Sequence, residues 1–168
     1  MKTLILIDIQ NGLTKAKNLY EEALFFDTIN SAIEVYRKSG LKIIFVQHNN
    51  NQLQKETFAW EIDQRVGKLE KDWVIQKEHG NAFQDTCLKT ILLETGIDQI
   101  AVGGLVSHGC VKATCLGGLA EGYDVSLLKN GHTNWNKDAK EKIEQTENEL
   151  ATKGVKILDI ASLKEPVK

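Results

Sequence analysis

Four residues able to do acid–base or covalent chemistry follow apolar runs along the chain. Asp8 closes the first run, His48 and Lys77 follow two later runs, and Cys110 begins a predicted helix after a fourth. In an open parallel sheet, ligands bind beyond the carboxyl ends of the strands, where loops and helix N-termini meet. An acid, an ammonium and a thiol at such an edge would form a nucleophile and its activators.

Cys110 is the candidate nucleophile, because a thiol in the first turn of a helix meets unpaired backbone N–H groups and the positive end of the helix dipole. Both features favour the thiolate. The alternative is a small buried hydrophobic side chain, the commoner use of an isolated cysteine. Cys87 and Cys115 are predicted to lie inside helices and to be structural. Asp8 alone could cap a loop, and Lys77 alone could be solvated.

The elements that must position these residues alternate between strands and helices. Short apolar runs are interleaved with segments whose apolar residues recur at helical spacing, several of which end at a glycine. The predicted strands are 3–8, 42–47, 72–76, 99–103, 124–128 and 155–158, and the predicted helices are 28–39, 85–95, 109–121 and 137–152. This order predicts a three-layer α/β fold, with helices on both faces of a six-stranded, mostly parallel sheet. The irregular stretch 49–71 is a candidate pocket wall or a plain surface excursion.

Composition favours one globular domain covering residues 1–168, because the chain has 168 residues, 42% of them hydrophobic and 26% charged. The net charge of −2 with no basic stripe argues against a nucleic-acid partner. The first apolar run is too short for a secretory signal or a membrane span, which predicts a cytoplasmic protein and no membrane partner. Three cysteines without C-x-x-C spacing argue against a disulfide framework or a structural zinc site.

Three ordered segments carry motifs: LILIDIQNG at 4–12, VIQKEHGNAFQDTCL at 74–88 and VGGLVSHGCVKATCLGGLAEGYDV at 102–125. They contain an Asp at the end of the first strand, a Lys followed by a small residue and Phe, and the turn G-x-x-[ST]-x-x-C-V-x-x-T. Together they resemble the isochorismatase-like cysteine hydrolases, the group that contains the nicotinamidases and N-carbamoylsarcosine amidase. Three motifs in the matching strand context are more specific than any one of them.

The resemblance implies a Rossmann-like sheet of strand order 3-2-1-4-5-6, in which strands one and four are neighbours and Asp8 lies beside Cys110. It also implies a catalytic triad. Asp8 takes the thiol proton, Lys77 stabilises the thiolate, and Cys110 attacks a carbonyl carbon to form a thioester. By the same resemblance, the backbone N–H groups of Val106 and Cys110 form the oxyanion hole, the first exposed by a cis peptide bond between Leu105 and Val106.

The chain departs from the zinc-dependent members of that group, which carry an Asp-x-His pair after the second strand. Residues 47–50 here read Gln-His-Asn-Asn, and the histidines lack metal-binding spacing, so we expect no metal and no other cofactor. His48 is predicted to be a pocket wall or to hydrogen-bond the substrate, and a surface histidine is the alternative. Leu13, Trp60 and Phe83 are predicted to line the pocket, with ordinary packing as the alternative.

These observations predict a metal-independent cysteine hydrolase that cleaves a C–N bond of a small amide or carbamoyl-type substrate. Cys110 argues against vinyl-ether cleavage, because the members that cleave isochorismate lack this cysteine. The alternative is a non-catalytic small-molecule binding protein or a thiol-redox protein on the same fold. The resemblance also implies a homo-oligomer, a dimer or tetramer. Gly117 and Gly118 predict a close backbone approach, either to the sheet or to a second subunit.

Overall fold

A computed structural model describes residues 1–163 as alternating strands and helices. The strands are β1 (Lys2–Ile7), β2 (Lys42–His48), β3 (Trp73–Lys77), β4 (Gln99–Leu105), β5 (Asp124–Thr133) and β6 (Lys156–Leu158). The α-helices are α1 (Asn11–Thr14), α2 (Glu22–Lys38), α3 (Leu88–Glu94), α4 (Lys112–Ala120) and α5 (Ala139–Thr152). A π-helical turn, Ser107–Val111, precedes α4, and a 3-10 turn covers Ile160–Leu163. Within the described part of the chain, no helix has both the length and the hydropathy needed to cross a bilayer.

The six strands form one sheet in the order β3-β2-β1-β4-β5-β6, and every neighbouring pair is parallel. The predicted α/β class and strand order are confirmed. The order runs outward in both directions from β1 and β4, so the carboxyl ends of these two strands form the switch point of the fold, where ligands bind in such sheets. Ile7 at the end of β1 lies opposite Gly104 of β4.

Strand β1 contributes to the hydrophobic cores on both faces of the sheet. Leu4 and Leu6 pack with residues of α2, while Ile5 and Ile7 pack with residues of α3, α4 and α5. All four side chains are at most 1% exposed. Successive side chains of a strand point to opposite faces, so a strand covered on both sides requires a continuous apolar run. This burial explains why the first run of the sequence does not alternate.

Two predicted helices begin elsewhere in the structure. Helix α2 begins at Glu22 rather than at residue 28, because Phe25 and Phe26 extend its buried face toward the N-terminus. Helix α3 begins at Leu88 rather than at residue 85, since Asp85 has a left-handed backbone conformation with a φ of 54°. Cys87 therefore precedes α3 and is exposed, which corrects its predicted place inside a helix.

The predicted helix 109–121 corresponds to the end of the π-helical turn Ser107–Val111 followed by α4, and Gly109 within that turn is non-helical, with a φ of −113° and a ψ of −114°. Cys110 thus lies in the turn Ser107–Val111, directly before α4. Strand β5 continues past its predicted end at residue 128 as far as Thr133. The continuation contains exposed, polar Lys129 and Asn130, which concealed it from a prediction based on hydrophobic runs.

The two adjacent glycines of α4 are needed by contacts within the chain. A Cβ atom on Gly117 would lie 2.3 Å from Oδ1 of Asn81. A Cβ atom on Gly118 would lie 2.8 Å from Cδ1 of Ile100, a residue of β4. The predicted close approach is therefore to the sheet and to the loop after β3.

Gly104 allows β4 to lie against β1 at the switch point. Its φ is 122°, which disfavours any side chain, and a Cβ atom there would lie 2.1 Å from the carbonyl oxygen of Ile7.

We expect Gly104→Ala to lower the free energy of unfolding by about 3 kcal/mol or to prevent folding, since the backbone of β1 cannot shift without a large loss of stability. Gly122→Ala is the matched control. Gly122 has a φ of 89° but no atom within 4 Å of a Cβ, so its loss should be about 1 kcal/mol. Equal losses in urea denaturation would contradict this role of Gly104.

Candidate active site

The structure brings the four chemically capable residues to one edge of the sheet. Asp8 directly follows β1, and His48 and Lys77 are the last residues of β2 and β3, where they lie opposite each other. Cys110 lies in the turn that follows β4. Because the strands are parallel, their carboxyl ends meet at this edge, and side chains from four separate parts of the sequence become neighbours.

The ammonium group of Lys77 lies at the centre of this group. Its Nζ donates to Oδ2 of Asp8 at 3.1 Å and to Sγ of Cys110 at 3.3 Å, and it lies 2.6 Å from Nδ1 of His48. Lys77 is 1% exposed and Asp8 is 3% exposed. An ammonium has three N–H bonds, and here three acceptors surround it. The positive charge is therefore held in a fixed place between the carboxylate and the sulfur.

Asp8 is placed to exchange a proton with the thiol. A carboxylate oxygen of Asp8, Sγ of Cys110 and a ring nitrogen of His48 lie within 4.8 Å of one another. Oδ1 of Asp8 is buried, and no residue within 1–163 donates a hydrogen bond to it. The backbone of Asp8 is left-handed, with a φ of 56°, and this conformation ends β1. The free oxygen keeps an acceptor position beside the sulfur.

Burial sets the protonation states of this pair. Burial and the Asp8 carboxylate raise the pKa of the Cys110 thiol to about 11, although Lys77 acts in the opposite direction. Desolvation of the charged form is the largest of these effects, so the free site favours the thiol, which fits the predicted need for Asp8 as its base. Burial also raises the pKa of Asp8, against the opposing charge of Lys77. A protonated thiol thus lies beside a buried carboxyl group that can act as its base.

His48 is uncharged at neutral pH. Burial, and then the positive charge of Lys77 and the neighbouring His79, lower its pKa to about 4. Its ring therefore contributes no charge to the site, and it takes part through hydrogen bonds alone.

Trp60 lies in the irregular segment 49–72, which crosses the carboxyl ends of β1 and β2. Its carbonyl oxygen accepts hydrogen bonds from Nε2 of Gln10 at 2.9 Å and of Gln47 at 3.1 Å. Its indole N–H donates to Oε1 of Gln76 at 3.1 Å. The segment is thereby tied to the strand ends that carry the site, and its use as a pocket wall stays a prediction.

Leu13 and Phe83, the other two predicted pocket residues, lie on opposite faces of the sheet. Leu13 lies on α1, next to the end of β1, and packs against the core on the α2 face. The ring of Phe83 stacks on Tyr123 at 5.7 Å between centroids and lies beside Gly118 of α4. The ring also packs, as does Cys110, against the core on the face of the sheet that α4 covers. The substrate contact of Phe83 stays a prediction.

Sequence reasoning missed three hydrogen-bonded glutamines near the site, of which Gln10 and Gln47 are buried and Gln76 is exposed. Gln10 donates to the carbonyl of His48 at 3.0 Å and accepts from its backbone N–H at 2.9 Å, so it fixes the end of β2. Gln76 donates to Oε1 of Gln47 across β2 and β3. The sequence contained one indication of these contacts, since a glutamine lies at or just beyond the carboxyl end of each of three neighbouring strands. A polar side chain that is buried at such a position needs a hydrogen-bond partner.

Sequence reasoning also gave no role to the turn 130–133. The ring of His132 contacts Oγ of Ser107 at 2.8 Å and Oε1 of Glu147 at 3.1 Å. Ser107 is fully buried, and His132 is 2% exposed. This chain of contacts fixes the first residue of the turn that carries Cys110 to β5 and to α5. The sequence contained one indication of this contact, since Ser107 belongs to the turn motif around Cys110 and a hydroxyl group that is buried there requires a hydrogen-bond partner.

A divalent cation does not fit among these residues. Within residues 1–163, one group of three potential ligands is close enough to hold a metal, namely Asp8, His48 and Cys110. The ammonium of Lys77 already lies 2.6–3.3 Å from all three, so a metal ion would have to displace a buried positive charge. The residue after His48 is Asn49, and its side-chain amide donates a hydrogen bond from Nδ2 to Oε1 of Gln76 at 2.8 Å.

Several known proteins are similar to this chain over most of its length. The family model described as isochorismatase domain matches residues 2–160. The uncharacterized isochorismatase family protein YddQ of Bacillus subtilis is 29% identical over 140 residues, which are 76% of this chain and 74% of that protein. Streptothricin hydrolase of Streptomyces noursei is 25% identical over 150 residues, 87% of this chain and 54% of that protein. A crystal structure of an isochorismatase family protein superposes with a TM-score of 0.89 at 28% identity and covers 94% of this chain and 98% of its own.

Proposed function

The chain belongs to the isochorismatase family of hydrolases, and we propose that it is a metal-independent cysteine hydrolase cleaving a C–N bond of a small amide or carbamoyl-type substrate. One observation carries this proposal. The ammonium of Lys77 is within hydrogen-bond distance of both the Asp8 carboxylate and the Cys110 sulfur. A base, a charge stabiliser and a nucleophile in mutual contact are the parts that acyl transfer through a thioester requires.

In the proposed first step, Asp8 takes the proton of the Cys110 thiol as the sulfur attacks the carbonyl carbon. Lys77 stabilises the developing thiolate, which burial alone disfavours. The substrate oxygen becomes negative in the tetrahedral intermediate and needs directed donors. We assign this part to the backbone N–H groups of Val106 and Cys110. The peptide bond between Leu105 and Val106 is cis, as the resemblance implied.

In the second step, the intermediate collapses and the C–N bond breaks. Asp8 returns the proton to the departing nitrogen, which leaves as ammonia or an amine, and the acyl group remains on Cys110 as a thioester. A water molecule then attacks the thioester carbonyl while Asp8 takes one of its protons. The carboxylic acid leaves, and the proton returns to the sulfur. Each bond formed is matched by one broken, and the free enzyme is restored.

Leu13, His48 and Trp60 are proposed substrate contacts. This is supported by the position of His48 at the end of β2, by that of Leu13 on α1 soon after β1, and by the hydrogen bonds that the carbonyl of Trp60 accepts at these strand ends. Small amides are the proposed partners. The thiol-redox alternative has less support, since burial of Cys115 raises its pKa to about 12 and disfavours the reactive thiolate. The homo-oligomer, the absence of a nucleic-acid partner and the cytoplasmic location stay predictions.

Trapping the acyl group tests the proposal. Incubation with a panel of small amides and hydroxylamine should release ammonia and form the matching hydroxamic acid, because hydroxylamine intercepts a thioester. Proteolysis and peptide mass mapping after an acid quench should locate the acyl group on the peptide containing Cys110. A chelator should leave the rate unchanged.

Cys115→Ala is the matched control and should form the same products. Ammonia release without any acyl adduct would contradict the covalent route. A rate that the chelator abolishes and zinc restores would contradict metal independence.

A further inference from the structure

Lys77 fixes the tautomer of the His48 ring. The two side chains meet at 2.6 Å, between Nζ and Nδ1. An ammonium has donors and no acceptor, so Nδ1 must accept and cannot carry a hydrogen. In a neutral imidazole, the hydrogen is then on Nε2. Charged Lys77 therefore converts His48 into a hydrogen-bond donor with one defined direction.

The ring is also held in position from its backbone. The N–H and the carbonyl group of His48 are both bonded to the side chain of Gln10, at 2.9 and 3.0 Å. His48 is half-buried, and the hydrogen bond that its ring makes within residues 1–163 is the one between Nδ1 and Lys77. A ring nitrogen of His48 is within 4.8 Å of the Cys110 sulfur. The site thus contains an imidazole ring of fixed orientation whose donor is Nε2–H, and one of its two nitrogens lies close to the attacking atom.

The place of His48 in the sheet indicates which part of a substrate it meets. The proposed oxyanion donors follow β4, whereas His48 ends β2, and β1 lies between these two strands. A carbonyl carbon at the sulfur would have the oxyanion donors on one side and His48 on the other. His48 therefore lies on the side of the sulfur away from the proposed oxyanion donors, where the non-reacting part of a substrate would extend.

We propose that His48 is a specificity residue whose Nε2–H donates a hydrogen bond to an acceptor atom on the acyl side of the amide. The preferred substrates are then amides that carry such an atom near the scissile carbonyl, for example an ether oxygen, a second carbonyl oxygen or a ring nitrogen. This inference rests on the proposed function, because it assumes that the carbonyl carbon lies at Cys110. When a substrate lacks the acceptor atom, the Nε2–H group of His48 stays without a hydrogen-bond partner in the complex, and this loss disfavours binding of that substrate.

Isosteric pairs of amides test the preference directly. Butanamide and methoxyacetamide differ by one CH2-to-oxygen exchange, and benzamide and pyridine-2-carboxamide differ by one CH-to-nitrogen exchange. We expect Cys110→Ala, which prevents turnover, to bind the acceptor-bearing member of at least one pair about fivefold to tenfold more tightly by calorimetry, the usual effect of one neutral hydrogen bond. Adding His48→Leu should remove the preference and leave the affinity for butanamide and benzamide nearly unchanged.

The matched control is His79→Leu in the same background, because His79 is paired with Asp85 at the surface and should not affect the preference. Nitrogen NMR of the wild-type protein at pH 7 supplies a readout that needs no ligand. It should show His48 with a protonated Nε2 and an unprotonated Nδ1, and Lys77→Met should release that tautomer.

The opposite tautomer, equal affinities within both pairs, or no binding of any of the four amides would overturn the inference. Hydrolysis through Cys110 without a preference that depends on His48 would refute this inference alone. A preference that depends on His48 in a protein that forms no thioester would refute the proposed function instead.

Discussion

Cys110→Ala should lower kcat for amide hydrolysis by about 10⁴-fold or more, because a methyl group cannot form the thioester and no other described side chain lies in its place. The remaining rate would come from substrate binding and the proposed oxyanion donors. Burial keeps the free thiol protonated, so the nucleophile also depends on its base. Asp8→Asn should therefore cause a loss of similar size, and the two losses should not add. Ammonia release at saturating substrate measures both.

The control for this result is again Cys115→Ala, which removes a sulfur of the same chain that is fully buried in α4. It should keep most of the wild-type kcat while losing some stability. Circular dichroism should show that Cys110→Ala folds normally, since the removed atom is half-buried and the side chain is small. A Cys110→Ala protein with a rate near that of wild type would refute the covalent mechanism, whatever the other variants do.

The edge at which these residues meet could be predicted because it depends on strand order. Asp8 and Cys110 are distant in sequence, yet a parallel sheet that reverses its order between β1 and β4 must bring the ends of those strands together. Lys77 was predicted for the same reason, as the residue that ends a neighbouring apolar run. The resemblance to the isochorismatase-like hydrolases implied this strand order, whereas hydrophobic periodicity predicted only the alternation of strands and helices and the mostly parallel sheet.

The contacts of the loop after β3 could not be predicted, because local packing decides them. Phe83 follows Lys77 closely in sequence, but Gly117 and Gly118 let the loop after β3 lie close to α4. The aromatic ring stacks on Tyr123, a contact that the sequence does not indicate. Sequence spacing cannot show the direction of a loop, which is set by such contacts.

The protonation states of Cys110 and His48 could not be predicted from the sequence either. The motif around Cys110 predicts an activated sulfur, but its pKa depends on how far water is excluded and on which charges lie beside it. The contact between Lys77 and His48 is of the same kind. It needs the register of β2 on β3, which places the two residues opposite each other and which no motif specifies.

Lys77→Met is expected to be inactive and also markedly less stable. It leaves the Asp8 carboxylate buried without its counterion, and breaking a buried ion pair in this way costs about 3–5 kcal/mol. Burial already raises the pKa of Asp8, and loss of the ammonium should raise it further. A raised pKa in the folded state means that protonation favours folding, so the variant should be relatively more stable at pH 5 than at pH 7. Urea denaturation at both pH values measures this.

The double variant Asp8→Asn/Lys77→Met separates charge from packing. It removes both buried charges, so most of the stability lost in Lys77→Met should return, because an uncharged pair avoids the desolvation penalty. Activity should not return, since neither the base nor the charge stabiliser is present. Lys156→Met is the control, because its partner Asp124 is exposed and such pairs contribute little to stability. A double variant as unstable as Lys77→Met would contradict this explanation. Lys77 would then stabilise the fold through the packing of its side chain, and not by neutralising the buried carboxylate of Asp8.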